Sequence, residues 1–135
     1  MQWDASANGG FTTGRKPWLA VNPNYKKINA KDAVGNPDSI YHYFRRMIAL
    51  RKEATGLVYG DYKDLDPQNK KIFAYTRTLG PEKYLIVLNF SGDAVSYAIP
   101  GGLKAGHLQI SNLGQTEENT TTLHLKGWEA RVYRM

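Results

Sequence analysis

From Leu57 onward the chain is cut into seven short strand-like runs, each closed by turn residues, and this punctuation leaves little room for anything but an antiparallel β architecture. Val58 to Leu65 stops at Asp66-Pro67-Gln68-Asn69, Ile72 to Thr78 at Leu79-Gly80-Pro81-Glu82, and Tyr84 to Phe90 at Ser91-Gly92-Asp93. Val95 to Ile99 stops at Pro100-Gly101-Gly102, His107 to Ser111 leads to Asn112 and Gly114, Thr121 to Leu125 stops at Lys126-Gly127, and Trp128 to Tyr133 finishes the series. An antiparallel sandwich or open barrel follows. Tyr84 to Phe90 is apolar at successive positions, so it is expected to be a central strand covered on both faces. Ile72, Ala74 and Thr76 alternate with Phe73, Tyr75 and Arg77, which predicts a neighbouring strand paired with it across the Gly80-Pro81 turn. That hairpin is the expected heart of the core.

Before Gly56 the period changes. Ile40, Tyr43, Phe44, Met47, Ile48 and Leu50 recur at spacings of three and four, with Arg45, Arg46, Arg51 and Lys52 between them, which predicts a helix favouring its basic residues toward the C-terminal end. Asn36-Pro37-Asp38-Ser39 supplies a capping side chain, a proline at the first helical position and an acid in the first turn. The apolar band is wide enough to require cover on two sides. Residues 1 to 36 show no sustained period, and Pro17, Pro23 and Gly9-Gly10 punctuate them, so they read as loop with a turn of helix near Ala30 to Val34.

At 135 residues the chain suits one domain with its own core plus an N-terminal extension, and it is too short for a barrel that needs about 250 residues. It has no cysteine, which excludes a disulfide framework and fits a reducing, cytoplasmic setting. No apolar run reaches the ~18 residues of a membrane span, and no signal-peptide pattern opens the chain. The net charge of +6 is uneven: residues 1 to 56 carry nine Lys or Arg against four acids, and the remainder nine against eight. Scattered basic pairs without an aromatic RNA-binding signature read as a solvated face, so no nucleic-acid partner is expected, although a basic nucleic-acid-binding domain stays as an alternative.

An opening as dense in Trp, Gly, Asn and Pro as Met1-Gln2-Trp3-Asp4, Asn8-Gly9-Gly10-Phe11, Trp18 and Asn22-Pro23-Asn24-Tyr25 is a loop of defined shape. That string, the Asp38-to-Lys52 helix and the Leu85-Ile86-Val87-Leu88-Asn89-Phe90-Ser91 strand occur in an order that resembles the C-terminal part of α-glucosidases of the oligo-1,6-glucosidase type, in the α-amylase superfamily. In that family the opening string lies in a long loop near the end of the catalytic barrel, so this chain reads as a tail, cut or restarted at an internal methionine. The resemblance implies that residues 1–56 are the end of a TIM barrel, a long loop plus its last helix, and that 57–135 form a C-terminal domain. The fold class is then mainly β: an antiparallel Greek-key β-sandwich preceded by an irregular loop segment and one α-helix.

Function follows from what such an enzyme needs. A retaining α-glucosidase requires two carboxylates roughly 5 Å apart about the scissile bond. The resemblance implies that these sit on barrel motifs of the Gly-Phe-Arg-x-Asp and Asn-His-Asp kind, which are missing from this sequence. The fragment is therefore expected to be non-catalytic support for a barrel that hydrolyses terminal α-linked glucose from oligosaccharides, with no cofactor and no metal. Trp3 and Asp4 are substrate-proximal in the parent by resemblance only, since the arginine that precedes this motif in relatives would fall before residue 1; Asp4 itself reads as a loop carboxylate. His42, His107 and His124 lie at no ligand-like spacing. Ser91, His124 and Asp93 lack the sharp turn of a nucleophile elbow. The expected partners are the rest of the barrel, its oligosaccharide substrate and, where Phe44, Met47 or Ile48 lie exposed, a second copy of the chain. Trp3, Trp18 and Trp128 are expected mostly in packing, Trp128 wedged against the sandwich end or the helix; an exposed indole would instead favour a freestanding carbohydrate-binding module.

Overall fold

The computed structural model describes residues 1–114 and 117–135. It holds two compact units, Met1–Ile48 and Ala49–Met135.

The first unit is mostly irregular. Short 3-10 turns at Ala7–Gly10 and Pro23–Lys26 precede α1, Ala30–Gly35, whose N-cap Asn29 accepts from the Asp32 amide. This matches the helical turn expected near Ala30. Helix α2, Ile40–Glu53, begins three residues later than the Asn36-Pro37 signal suggested. Pro37 and Asp38 form a turn in which the Asn36 side chain accepts from the Asp38 amide at 3.0 Å, and Ser39 takes over as cap. Its hydroxyl accepts from the His42 amide at 3.4 Å, and its carbonyl from the Tyr43 amide at 3.0 Å. Asn36 and Ser39 are both competent caps, and the helix starts at the second.

The second unit carries the sheets. Val58 was expected to open a strand, but Thr55–Tyr59 is a further short helix, α3, and the strand that follows, β1, covers only Asp61–Asp64. The Glu82 carboxylate accepts from the Gly56 amide at 2.7 Å and so satisfies a free N–H in the first turn of α3. The remaining strands are β2 Ile72–Leu79, β3 Glu82–Asn89, β4 Val95–Ala98, β5 His107–Ser111, β6 Thr122–Leu125 and β7 Ala130–Arg134. They form a five-stranded sheet in the order β1-β2-β3-β7-β5 and a two-stranded sheet, β4-β6, with every pairing antiparallel. Pairing β3 with β7 while β4 and β6 cross to the second sheet is the winding of a Greek-key sandwich. The β2–β3 hairpin closes in register, Leu79 opposite Glu82, and Gly80 at φ 55° takes the positive-φ corner that a two-residue turn demands.

Strand β3 is covered on both faces, as its composition predicted. Leu85 and Val87 join Ile72, Ala74, Tyr97, Leu123, Leu125 and Tyr133 between the two sheets. Tyr84 and Ile86 point the other way and bury Ala54, with Leu50, Leu57 and Tyr75 around them. The end of α2 and the start of α3 thus sit on the outer face of the large sheet. Farther back on α2, Phe44, Met47 and Ile48 are exposed. Among the described residues no helix is long and apolar enough to cross a membrane.

Candidate functional site

The N-terminal loop is held from both sides of its backbone. The Trp3 amide donates to the Gly9 carbonyl at 2.9 Å, the Ala30 and Lys31 amides donate to the Gln2 and Trp3 carbonyls at 2.9 Å each, and the Gln2 side chain donates to Asn24 at 2.6 Å. Gly9 and Gly10 at φ 61° and 75°, with Asn8 at 59°, turn the chain sharply enough to make this possible. Asp4 accepts from the Ser6 amide at 2.9 Å and from the Ser6 hydroxyl, and those two bonds hold its carboxyl below the usual range. Its visible task is to fix a turn.

Beside this loop lies a hollow of about 510 Å³ lined by residues including Met1, Gln2, Phe11, Lys16 and Trp18, with no carboxylate among its lining residues. Trp3 is 61% exposed and Trp18 97%. Trp128 is 63% exposed as well, so the expectation that the indoles are mostly packed away is overturned. Trp128 sits at φ 60° in a turn, its amide donating to the Ser91 carbonyl at 2.9 Å and its carbonyl accepting from Asn112 at 2.8 Å. Fixing the backbone there carries the ring outward, off the sandwich end.

Many of the carboxylates are occupied by structure. Asp93 pairs with Lys71 at 2.9 Å, Asp66 accepts from the Asn69 side chain at 2.8 Å, and Asp32 from Asn29 at 2.7 Å. Glu118 accepts from the Leu108 amide at 2.7 Å and contacts the His107 ring at 3.0 Å. His124 faces Glu117 at 2.8 Å, and His42 faces the Val34 carbonyl at 2.8 Å, so the three histidines go to separate tasks. Among the described residues no group of three or more His, Asp or Glu could hold a metal ion.

One ionic cluster went unread in the sequence. On the inner face of β7, Arg131 is fully buried, and its Nε donates to the equally buried Glu129 at 2.7 Å. One terminal nitrogen donates to Glu117 at 2.6 Å and to the Tyr133 hydroxyl at 3.3 Å, and the other to the His124 carbonyl at 2.7 Å. Glu129 also accepts from the Lys126 amide at 2.7 Å. Partial burial pushes the Glu117 carboxyl up, but the hydrogen bonds from Arg131 and His124 outweigh it and hold the group at about 2. A carboxylate so acidic donates no proton at neutral pH, and its partner is sealed against an arginine. This pair is a structural brace.

The described residues therefore define a class: a mainly antiparallel β-sandwich domain preceded by a loop-rich segment. The family comparisons give the class its place. Residues 1–60 match the model for the α-amylase catalytic domain, and residues 72–132 match that for the C-terminal domain of the α-amylase SusG. The whole chain is 44% identical to an oligo-1,6-glucosidase from Parageobacillus thermoglucosidasius, of which it covers 24%. It is 45% identical to a glucan 1,6-α-glucosidase from Streptococcus pneumoniae serotype 4 over 78% of the chain and 19% of that protein. A solved isomaltulose synthase from Erwinia rhapontici NX5, determined with sucrose, superposes with a TM-score of 0.92 at 46% identity, covering 98% of this chain and 24% of that one. The chain belongs to the α-amylase family, where it corresponds to the C-terminal part, and it spans about a quarter of the length of these relatives.

Proposed function

We propose that this chain is the C-terminal part of an α-glucosidase of the oligo-1,6-glucosidase kind, an enzyme that hydrolyses terminal α-linked glucose from oligosaccharides. Residues 1–56 are the end of its catalytic barrel and residues 57–135 its C-terminal β domain. The chain by itself is non-catalytic and supports the barrel, which is its partner; the oligosaccharide belongs to the whole enzyme, with Trp3 and Asp4 near it there. A chain without cysteine suits the cytoplasm.

The observation that carries this reading is the packing of Leu50, Ala54 and Leu57, inside the stretch matched to the catalytic domain, against Tyr84 and Ile86 of the sandwich. A sheet whose outer face closes over the end of that stretch is built to brace it. Supporting this, the relatives above are named for different substrates yet resemble this part about equally, which fits a shared brace better than a substrate-choosing element. The purified chain incubated with isomaltose or a nitrophenyl α-glucoside is expected to release nothing above the blank. Turnover that follows the chain through purification would refute the non-catalytic role.

A further inference from the structure

Among the described residues Asn8, Asn119 and Trp128 take positive φ without being glycine. Asparagine tolerates that region, whereas a side chain as bulky as tryptophan is held there against its preference. The hold is visible. Asn89, buried at the end of β3, donates to the Asp93 carbonyl at 2.8 Å and to the Lys126 carbonyl at 2.9 Å, and accepts from the Ser91 amide at 3.0 Å. One buried side chain thus ties the Ser91–Asp93 turn to the turn that carries Trp128. A Cβ on Gly127 would collide with the Gly92 carbonyl oxygen, so the two turns also touch backbone to backbone. Packing does not account for the strain, because the ring these bonds hold in place is mostly exposed. A Cβ on Gly92 would stand 3.6 Å from the indole nitrogen, so one edge of the ring rests over Gly92 and the remainder is open.

We propose that Trp128 is a stacking platform for α-linked glucose units, an accessory contact that holds the oligosaccharide of the parent enzyme on its C-terminal domain; this rests on the function proposed above and adds a sugar site to a domain assigned there only to support. An indole offers a flat apolar face to the C–H face of a pyranose ring, and one fixed in advance loses little freedom on binding. Beside Gly92, the Asp93 carboxylate and the Lys71 ammonium pair at 2.9 Å with both side chains more than half exposed. An acceptor and a donor side by side match the adjacent hydroxyls of a glucose unit, and their charges cancel, which suits a neutral ligand. The tip is also free of the contact already formed by α3. Glu82, which caps α3, opens β3, whereas the Trp128 amide bonds to Ser91 beyond its other end, and eight strand residues span roughly 25 Å.

The chain has three tryptophans, so its indole N–H signals in a nitrogen–proton correlation spectrum can be assigned with one Trp→Phe variant each. Isomaltotriose, and maltotriose as the other linkage, are titrated to millimolar concentrations. The Trp128 signal is expected to shift saturably with at least one of them while those of Trp3 and Trp18 stay in place. Trp128→Gly relieves the positive φ, so its unfolding midpoint should be unchanged or higher while sugar affinity falls at least about tenfold. A Trp128 signal indifferent to both sugars overturns the proposal, as does affinity that survives Trp128→Gly. So does a Trp128 signal that moves with protein concentration alone, which assigns the ring to a second copy. Trp128→Cys should react with maleimide equally fast in this chain and in the Parageobacillus thermoglucosidasius oligo-1,6-glucosidase carrying it in place of the matching quarter, host thiols subtracted; strong protection in the latter hands the ring to the catalytic domain and overturns the proposal. The titration also separates the two failures: free glucose appearing from isomaltotriose sinks the proposed function and this site with it, and a silent Trp128 signal over intact sugar sinks this inference alone.

Discussion

Replacing Arg131 by Met should cost this domain most of its stability, and the reason lies in what the guanidinium leaves behind. Arg131 makes bonds of 2.7 Å to Glu129, 2.6 Å to Glu117 and 2.7 Å to the His124 carbonyl. Glu117 is a third exposed and rehydrates when the arginine is lost, so it contributes roughly 1 kcal/mol or less. Glu129 is sealed, with only the Lys126 amide still donating to it. A buried anion stripped of its cation costs about 3–5 kcal/mol, a large share of a domain's total stability of about 5–15 kcal/mol. Met matches the aliphatic length of arginine, so cavity formation adds little. The assay is urea unfolding followed by circular dichroism, comparing midpoints at unchanged slope. Adding Glu129→Gln removes the orphaned charge while keeping an oxygen for Lys126, so the double variant should recover at least about 1 kcal/mol relative to R131M alone. An R131M protein within about 1 kcal/mol of the parent, with the two changes strictly additive, would refute the reasoning.

Two smaller expectations follow from the same sandwich. The folded carboxyl of Glu117 lies near 2 against an ordinary 4.5, so its contribution is fully present above pH 4.5 and is lost as pH falls from there toward 2; Glu117→Gln should flatten the acid limb of a stability-versus-pH curve, and an unchanged limb would contradict the brace. Burial pushes the Tyr97 hydroxyl up to about 12, and among the described residues it finds no hydrogen-bond partner, so Tyr97→Phe should leave the unfolding midpoint unchanged or raise stability by about 1 kcal/mol. A loss of that size would reveal a partner for the hydroxyl.

Much of the sandwich was legible because its turns are written in Gly, Pro, Asn and Asp, and because β3 is apolar at successive positions where a half-covered strand would alternate. The stretch Leu57-Val58-Tyr59 misled because a run so short has no period to measure, and the Glu82 cap that makes it a helix lies 26 residues away. Helix α2 offered two caps, and which of them the chain uses is settled by tertiary context. The Arg131 cluster did leave a trace: Glu129, Arg131 and Tyr133 fall on one face of a strand with Ala130 and Val132 on the other. Opposite charges two residues apart on the face shared with a core tyrosine mark an inward pair, whereas a solvated one would share the face of other polar groups. Trp128 could not be placed from pattern, since its exposure follows from one positive φ in a turn. The absence of barrel motifs was plain in the sequence, and the structure adds where many of the carboxylates go: Asp4 to a turn, Glu82 to the first turn of α3, and Glu117 and Glu129 to one buried arginine.

The central claim, that this chain braces a catalytic domain which supplies the chemistry, is tested most directly by glucose release from isomaltose by a chimera in which this chain replaces the matching C-terminal quarter of the Parageobacillus thermoglucosidasius oligo-1,6-glucosidase, assayed beside the isolated chain. The account predicts turnover comparable to the unmodified relative from the chimera and none from the chain alone. A folded chimera that cannot cleave isomaltose, or an isolated chain that can, would contradict it.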